Sequence, residues 1–254
     1  MRKTDEIVDG LCPIDDTFMR KLGKSISFCE EMLTVILDRP VKVLNVKTQE
    51  ELHNVDTRSV ELDILCEGED GEKFAVEVQK PINDDFQKRT RYNGACVQVQ
   101  ALEKGSPFKK LPDVYMIFIS KDDFLGRGKV IYHIDRTIRE TGEKIDNGYY
   151  EIYVNCEIKD GSDLSEYMKQ FSSPISLNNP KFPVINEDLY YYKNGKGRSS
   201  MCQLVEDYAK EYAKEYAKEQ KALLLIELGY SDTVIQEKTG LTEDEIINLR
   251  EESK

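Results

Sequence analysis

Histidine is almost absent from this chain. His53 and His133 are the only two, far apart in sequence, so a Ser-His-Asp triad or a histidine-held metal has little to build on. The six cysteines (Cys12, Cys29, Cys66, Cys96, Cys156 and Cys202) include no C-x-x-C pair. That scatter argues against a zinc site or a disulfide framework and suits reduced thiols in a cytoplasmic protein. No apolar run approaches the ~20 residues that a membrane span needs. The opening M-R-K-T-D-E-I-V-D-G lacks the apolar stretch of a signal peptide. Positive charge is also short: 36 Lys and Arg stand against 48 Asp and Glu, a net charge of −12. Simple electrostatic capture of nucleic acid is therefore disfavoured. The deficit is uneven, since residues 201–254 hold 7 basic and 13 acidic side chains and residues 1–200 hold 29 and 35. The first 200 residues are only mildly acidic, and Lys88-Arg89-Arg91 and Lys104-Lys109-Lys110 remain able to line a groove.

What the chain does contain is a pair of alternating runs, S-V-E-L-D-I-L-C-E-G and E-K-F-A-V-E-V-Q-K, joined by E-D-G. Period-2 alternation is the signature of half-buried strands, and Asp70-Gly71 marks a hairpin turn. Val60, Leu62, Ile64 and Cys66 are expected to face one way and Glu61 and Asp63 the other. In the second run Phe74, Val76 and Val78 face the core, with Ala75, Glu77 and Gln79 facing away. A Glu69-Asp70-Gly71 loop sets Gly68 opposite Glu72 and Asp63 opposite Glu77. Like charges so placed, with Cβ atoms ~5 Å apart, repel. A divalent cation turns that repulsion into a site, with Gln79 one pleat further on. The same residues also read as a solvated acidic face, and a two-residue loop would set Asp63 opposite Val78 instead.

Around the hairpin, Asp15 and Asp16 cap a helix expected over residues 17–37, ended by Pro40. Residues 41–46 form a short strand. A helix over 84–104 turns Phe86, Ala95, Val99 and Leu102 inward. The continuous apolar run V-Y-M-I-F-I at 114–119 predicts a strand buried on both faces. Another strand covers 149–154 and a short helix 163–171. Prolines and glycines at 174, 180, 183, 195 and 197 mark a break, which gives a core over 1–175, a connector over 176–200 and a helical tail over 201–254. The tail repeats Tyr-Ala-Lys-Glu, placing Tyr208, Tyr212 and Tyr216 on a stripe that drifts around a 3.6-residue helix. Such a helix is either a solvated spacer or an oligomerisation device. Thr242 and Glu245 form a capping box. The last helix presents an acidic face, so the tail's end reads as a packing module rather than a DNA-reading helix-turn-helix.

The ordered series D-D-T-F-M-R-K-L, R-S-V-E-L-D-I-L, G-E-K-F-A-V-E-V-Q, K-R-T-R-Y-N-G-A-C-V, L-E-K-G-S-P-F-K-K-L-P-D-V-Y-M-I-F-I, D-D-F-L-G-R-G and Y-E-I-Y-V-N resembles the Rpn-type recombination-promoting nucleases. These are the transposase-type branch of the PD-(D/E)XK nuclease superfamily. The resemblance covers roughly residues 14–175. It implies an α/β, restriction-endonuclease-like core, a mixed central sheet flanked by helices, with a C-terminal helical extension. It implies Mg²⁺- or Mn²⁺-dependent hydrolysis of DNA phosphodiesters, with DNA as partner and no membrane. Asp63 and Glu77 match the two metal-holding acids, and Gln79 stands where the superfamily's usual motif has lysine. Glutamine ligates or orients water but brings no charge. Charge stabilisation then falls to the metal and to Lys80, Arg89 or Arg91. Glu31 is a candidate for the accessory acid that many such nucleases place on their first helix. The competing implication is a catalytically idle member of the fold that works as an interaction module through its tail.

Overall fold

The computed structural model describes residues 3–52, 59–79 and 86–252. Two compact units divide the chain, residues 1–201 and 202–254. In the first, helices α1 (Lys3–Gly10), α2 (Asp16–Leu22) and α3 (Ile26–Leu37) precede strands β1 (Val43–Leu52), β2 (Val60–Gly68) and β3 (Lys73–Gln79). Helix α4 (Phe86–Ala101) leads to β4 (Val114–Ser120), β5 (Ile131–Ile134) and β6 (Tyr149–Asn155), then to α5 (Asp163–Phe171) and α6 (Pro183–Lys193). The sheet order is β1-β2-β3-β4-β6-β5. Neighbours are antiparallel from β1 to β3 and at β5–β6, while β3, β4 and β6 run parallel. This is a mixed α/β sheet flanked by helices.

The hairpin forms around the three-residue loop Glu69-Asp70-Gly71. Gly71 takes φ +83, a left-handed conformation that glycine adopts without steric cost. Gly68 N–H donates to Glu72 O at 2.9 Å, and the register runs through Glu67↔Lys73, Cys66↔Phe74 and Ile64↔Val76. The alternation on β2 and β3 does not leave an open face, however. Ile64 and Cys66 lie against α2 and α3, where a Cβ at Gly23 would come within 2.7 Å of the Ile64 side chain and Cys66 meets the Cys29 thiol. Ala75, expected to point outward, is buried with Leu62, Val60 and Met116 against Cys96 and Val97 of α4. The two covering layers thus share the apolar side chains of β2. Val60 and Leu62 depart from the common facing expected for them with Ile64 and Cys66.

Other expectations are revised. The helix expected over 17–37 is broken at Gly23, and Ser25 caps the second piece by accepting Phe28 N–H at 3.2 Å. Helix α4 buries Asn93, Gly94, Cys96 and Val97, while Ala95 and Val99 are exposed. Gly94 decides that choice, because a Cβ there would collide with the Tyr149 hydroxyl at 2.3 Å. Residues 176–200, expected as a connector, contain α6, which starts on Pro183, buries Ile185 and Leu189, and packs on α3.

In the second unit the helix α7 (Arg198–Glu227), which begins in the first, is followed by α8 (Asp232–Thr239) and α9 (Glu243–Glu252). Left-handed glycines end α7 and α8, at Gly229 (φ +77) and Gly240 (φ +74). Ala222, Leu225, Ile235 and Ile246 form this unit's core. The capping box is present: Thr242 N–H and hydroxyl donate to Glu245 at 2.6 and 2.9 Å, and Glu245 N–H donates back at 3.3 Å.

Candidate active site

Beyond Ile64↔Val76 the next positions in register are Asp63 and Glu77, and here ordinary strand pairing gives way. The Val78 N–H donates at 2.8 Å to the Asp63 carboxylate. The Asp63 side chain is thereby fixed between the two strands. β1 bends at the same level: Gln49, flanked by the pairs Thr48↔Ile64 and Glu50↔Leu62, takes φ +54. Glu77 is 7% exposed, and its Oε1 is buried with no hydrogen-bond partner among the described residues. The solvated acidic face that the sequence also allowed is therefore not what forms.

Both carboxyls respond to this burial. Burial pushes Asp63 from 3.8 to about 6, and Asp16 adds to the rise. The Val78 N–H, Arg20 and Arg89 oppose it. Glu77 is raised well above the ordinary glutamate value by burial first and then by the Asp63 charge, against Arg89 and the Asp63 N–H. Removing a carboxylate from water without a full set of partners favours its neutral form.

Two cations frame the pair. Arg89, on the first turn of α4, donates to the Gln79 side-chain oxygen. Arg20, on α2, is held by Asp16 at 2.9 Å. The sequence marks Asp16 only as a helix cap and does not single out Arg20. Their signal was the i,i+4 spacing of opposite charges, which sets both on one helix face.

Glu31 has a different set of partners. Glu31 accepts the N–H groups of Val184 at 2.9 Å and Ile185 at 3.0 Å, and so caps α6. Burial raises its pKa and those two N–H groups lower it. A carboxylate at a helix N-terminus is a structural arrangement, and this is the place the structure gives Glu31. Arg91 is exposed on α4. Lys80 lies outside the described residues.

The residues present suit a small divalent cation. Among the described residues no group of three or more His, Cys, Asp or Glu could enclose a metal. Mg²⁺ does not require such a cage, because it keeps several waters and takes one or two carboxylates plus substrate phosphate. The orphaned Glu77 Oε1 beside Asp63 is the kind of oxygen such an ion would satisfy.

A family model described as PD-(D/E)XK nuclease family transposase matches residues 25–160, from the start of α3 to just before α5. No curated protein and no solved structure matches the chain.

Proposed function

Because the chain belongs to the PD-(D/E)XK nuclease family transposases, we propose that it is a DNA endonuclease dependent on Mg²⁺ or Mn²⁺ held by Asp63 and Glu77. The observation that carries this reading is the pair of inward carboxyls at the open end of the hairpin, one with an oxygen that nothing satisfies. Left alone, that oxygen costs about 1–3 kcal/mol. A site retained at that cost is a candidate for function.

When bound, the metal supplies a Lewis acid and a water of lowered pKa. The chain does the rest. Asp63 is locked by the Val78 N–H, so one carboxylate edge is fixed before any ligand arrives. Glu77 offers its free Oε1 from the dry side. Gln79 gives its oxygen to Arg89 and keeps two amide hydrogens, which orient a water or a phosphate oxygen. Arg89 returns to this place the positive charge that the superfamily's lysine carries and Gln79 lacks. With Arg20 it stabilises negative charge developing on the phosphate.

DNA is the partner this chemistry requires. No helix among the described residues is long and apolar enough to cross a membrane. The six cysteines form no disulfide and four of them are buried, which supports a cytoplasmic setting. Tyr208, Tyr212 and Tyr216 are exposed on α7, and association of tails between copies is the use we assign them. Nicking of supercoiled plasmid with Mg²⁺, Mn²⁺ or EDTA tests the activity. Metal-dependent nicking lost in Asp63→Asn supports it. A pure wild-type protein inactive with either metal and unchanged by them in thermal stability points instead to the idle interaction module.

A further inference from the structure

α4 is unlike the rest of the chain in charge. Between residues 86 and 110 there are six basic side chains, Lys88, Arg89, Arg91, Lys104, Lys109 and Lys110, and a single acid, Glu103, in a protein of net charge −12. Lys88 and Arg91 are exposed on the helix, and Lys104, Lys109 and Lys110 are exposed beyond its end. The helix starts at the active site through the Arg89–Gln79 bond. It is 16 residues long, which at 1.5 Å per residue is about 24 Å. The return loop then enters β4, whose first residue, Val114, pairs with Lys73 at the opposite end of β3 from Gln79. Basic side chains therefore stand at both ends of this crossover, Lys88, Arg89 and Arg91 by the carboxylates and Lys104, Lys109 and Lys110 at the far end.

At its far end stands Phe108, in the short turn Phe108–Lys110, with 85% of its surface exposed. A phenylalanine in open water beside two lysines gains nothing from folding. Apolar wedges flanked by basic residues are what DNA-bending proteins insert between base steps, with the lysines on the adjacent phosphates. Resting on the nuclease reading above, the geometry points to α4 and the 104–110 turn as the surface that tracks duplex DNA, with Phe108 as a wedge. It opens a base step at the far end of this surface from the cleaved bond. The occupant is a polyanion with stackable bases, because the track pairs cationic side chains with an unpartnered aromatic ring.

The test is binding of duplexes carrying 2-aminopurine at successive positions, in EDTA to prevent cleavage, at several salt concentrations. The wild type should give a fluorescence rise at one step. Phe108→Ala should abolish that rise and Phe108→Trp keep it. The double variant Lys109→Ala/Lys110→Ala should weaken binding to all sequences alike and reduce the slope of log Kd against log salt by about 2. All these side chains are exposed, so unchanged melting temperatures should accompany the losses. A wild type that binds and nicks DNA, with variants of equal slope and equal fluorescence, would overturn this inference and leave the nuclease reading intact. A wild type that neither binds nor nicks would overturn both.

Discussion

At the turn end of the β2–β3 hairpin Glu67 faces Lys73 and the pair closes at 2.9 Å. Glu72 accepts Arg39 at 2.6 Å, and the Gly68 N–H meets the Glu72 carbonyl. At the other end of the same two strands, just past the last regular pair Ile64↔Val76, the neighbouring carboxyls Asp63 and Glu77 bring like charge against like, with one oxygen unsatisfied and both pKa values raised. The strands are common to both ends, and the regular register stops at Ile64↔Val76. Only the chemistry of the opposed pair differs, and the costly arrangement is the buried one. Folding alone would select the Glu67–Lys73 type of pair at both ends. The departure at Asp63 and Glu77 is confined to the site we propose for a cation and a phosphate.

The widest separation between the two ends should be in activity. Asp63→Asn and Glu77→Gln should each reduce metal-dependent nicking at least about a thousandfold, while Lys73→Ala leaves it unchanged. Equal losses at both ends, in proteins shown to be folded, would dissolve the comparison.

A smaller effect probes the charge beside Gln79. Gln79→Ala should lower kcat between about ten- and a hundredfold. Gln79→Lys alone sets lysine against Arg89, so its activity should also be low. Combining it with Arg89→Ala should recover much of it, and single-turnover kinetics would show whether the two changes compensate. Additive losses would mean that Arg89 does not substitute for the missing lysine.

The stability gap between the wild type and the neutral variant should widen as pH rises. Asp63 has a folded pKa of about 6 against 3.8 when free, so its contribution is fully favourable below 3.8 and is lost as pH rises through 6. Without metal, Asp63→Asn should be more stable than wild type by up to about 3 kcal/mol at pH 8, and the gap should close by pH 4. Metal affinity should weaken as pH falls below about 6, where protons compete for Asp63. Urea titrations across this range measure both. At the turn end, Glu67→Ala should cost under about 1 kcal/mol at any of these pH values.

The hairpin was legible because its signals are local. Asp70-Gly71 fixes the loop, the alternation fixes the strands, and together they fix the register from Glu67↔Lys73 to Ile64↔Val76, which brings Asp63 and Glu77 to neighbouring positions. The strand at 114–120 and the helix at 163–171 were legible for the same reason, as was the Thr242–Glu245 box. What could not be read depended on partners distant in sequence. Glu31 is 153 residues from Val184, and nothing near it shows that it caps a helix inside a proline-rich stretch. The inward face of α4 is chosen by Gly94 fitting under Tyr149, and no periodicity reveals that. β5, with two of its four residues exposed at the sheet edge, lacks the apolar contrast that makes strands visible. Asp16 and Arg20 look like ordinary helix residues until α2 is laid on β2.

The central claim is that Asp63 and Glu77 form an under-satisfied acidic pair that a divalent cation completes. Thermal melting at pH 8 of wild type, Asp63→Asn and Glu77→Gln, each with EDTA and with Mn²⁺, tests it most directly. The account predicts that in EDTA both variants melt above wild type, and that Mn²⁺ raises the melting temperature of wild type alone. Variants that melt below wild type in EDTA, with no response of wild type to Mn²⁺, would contradict it.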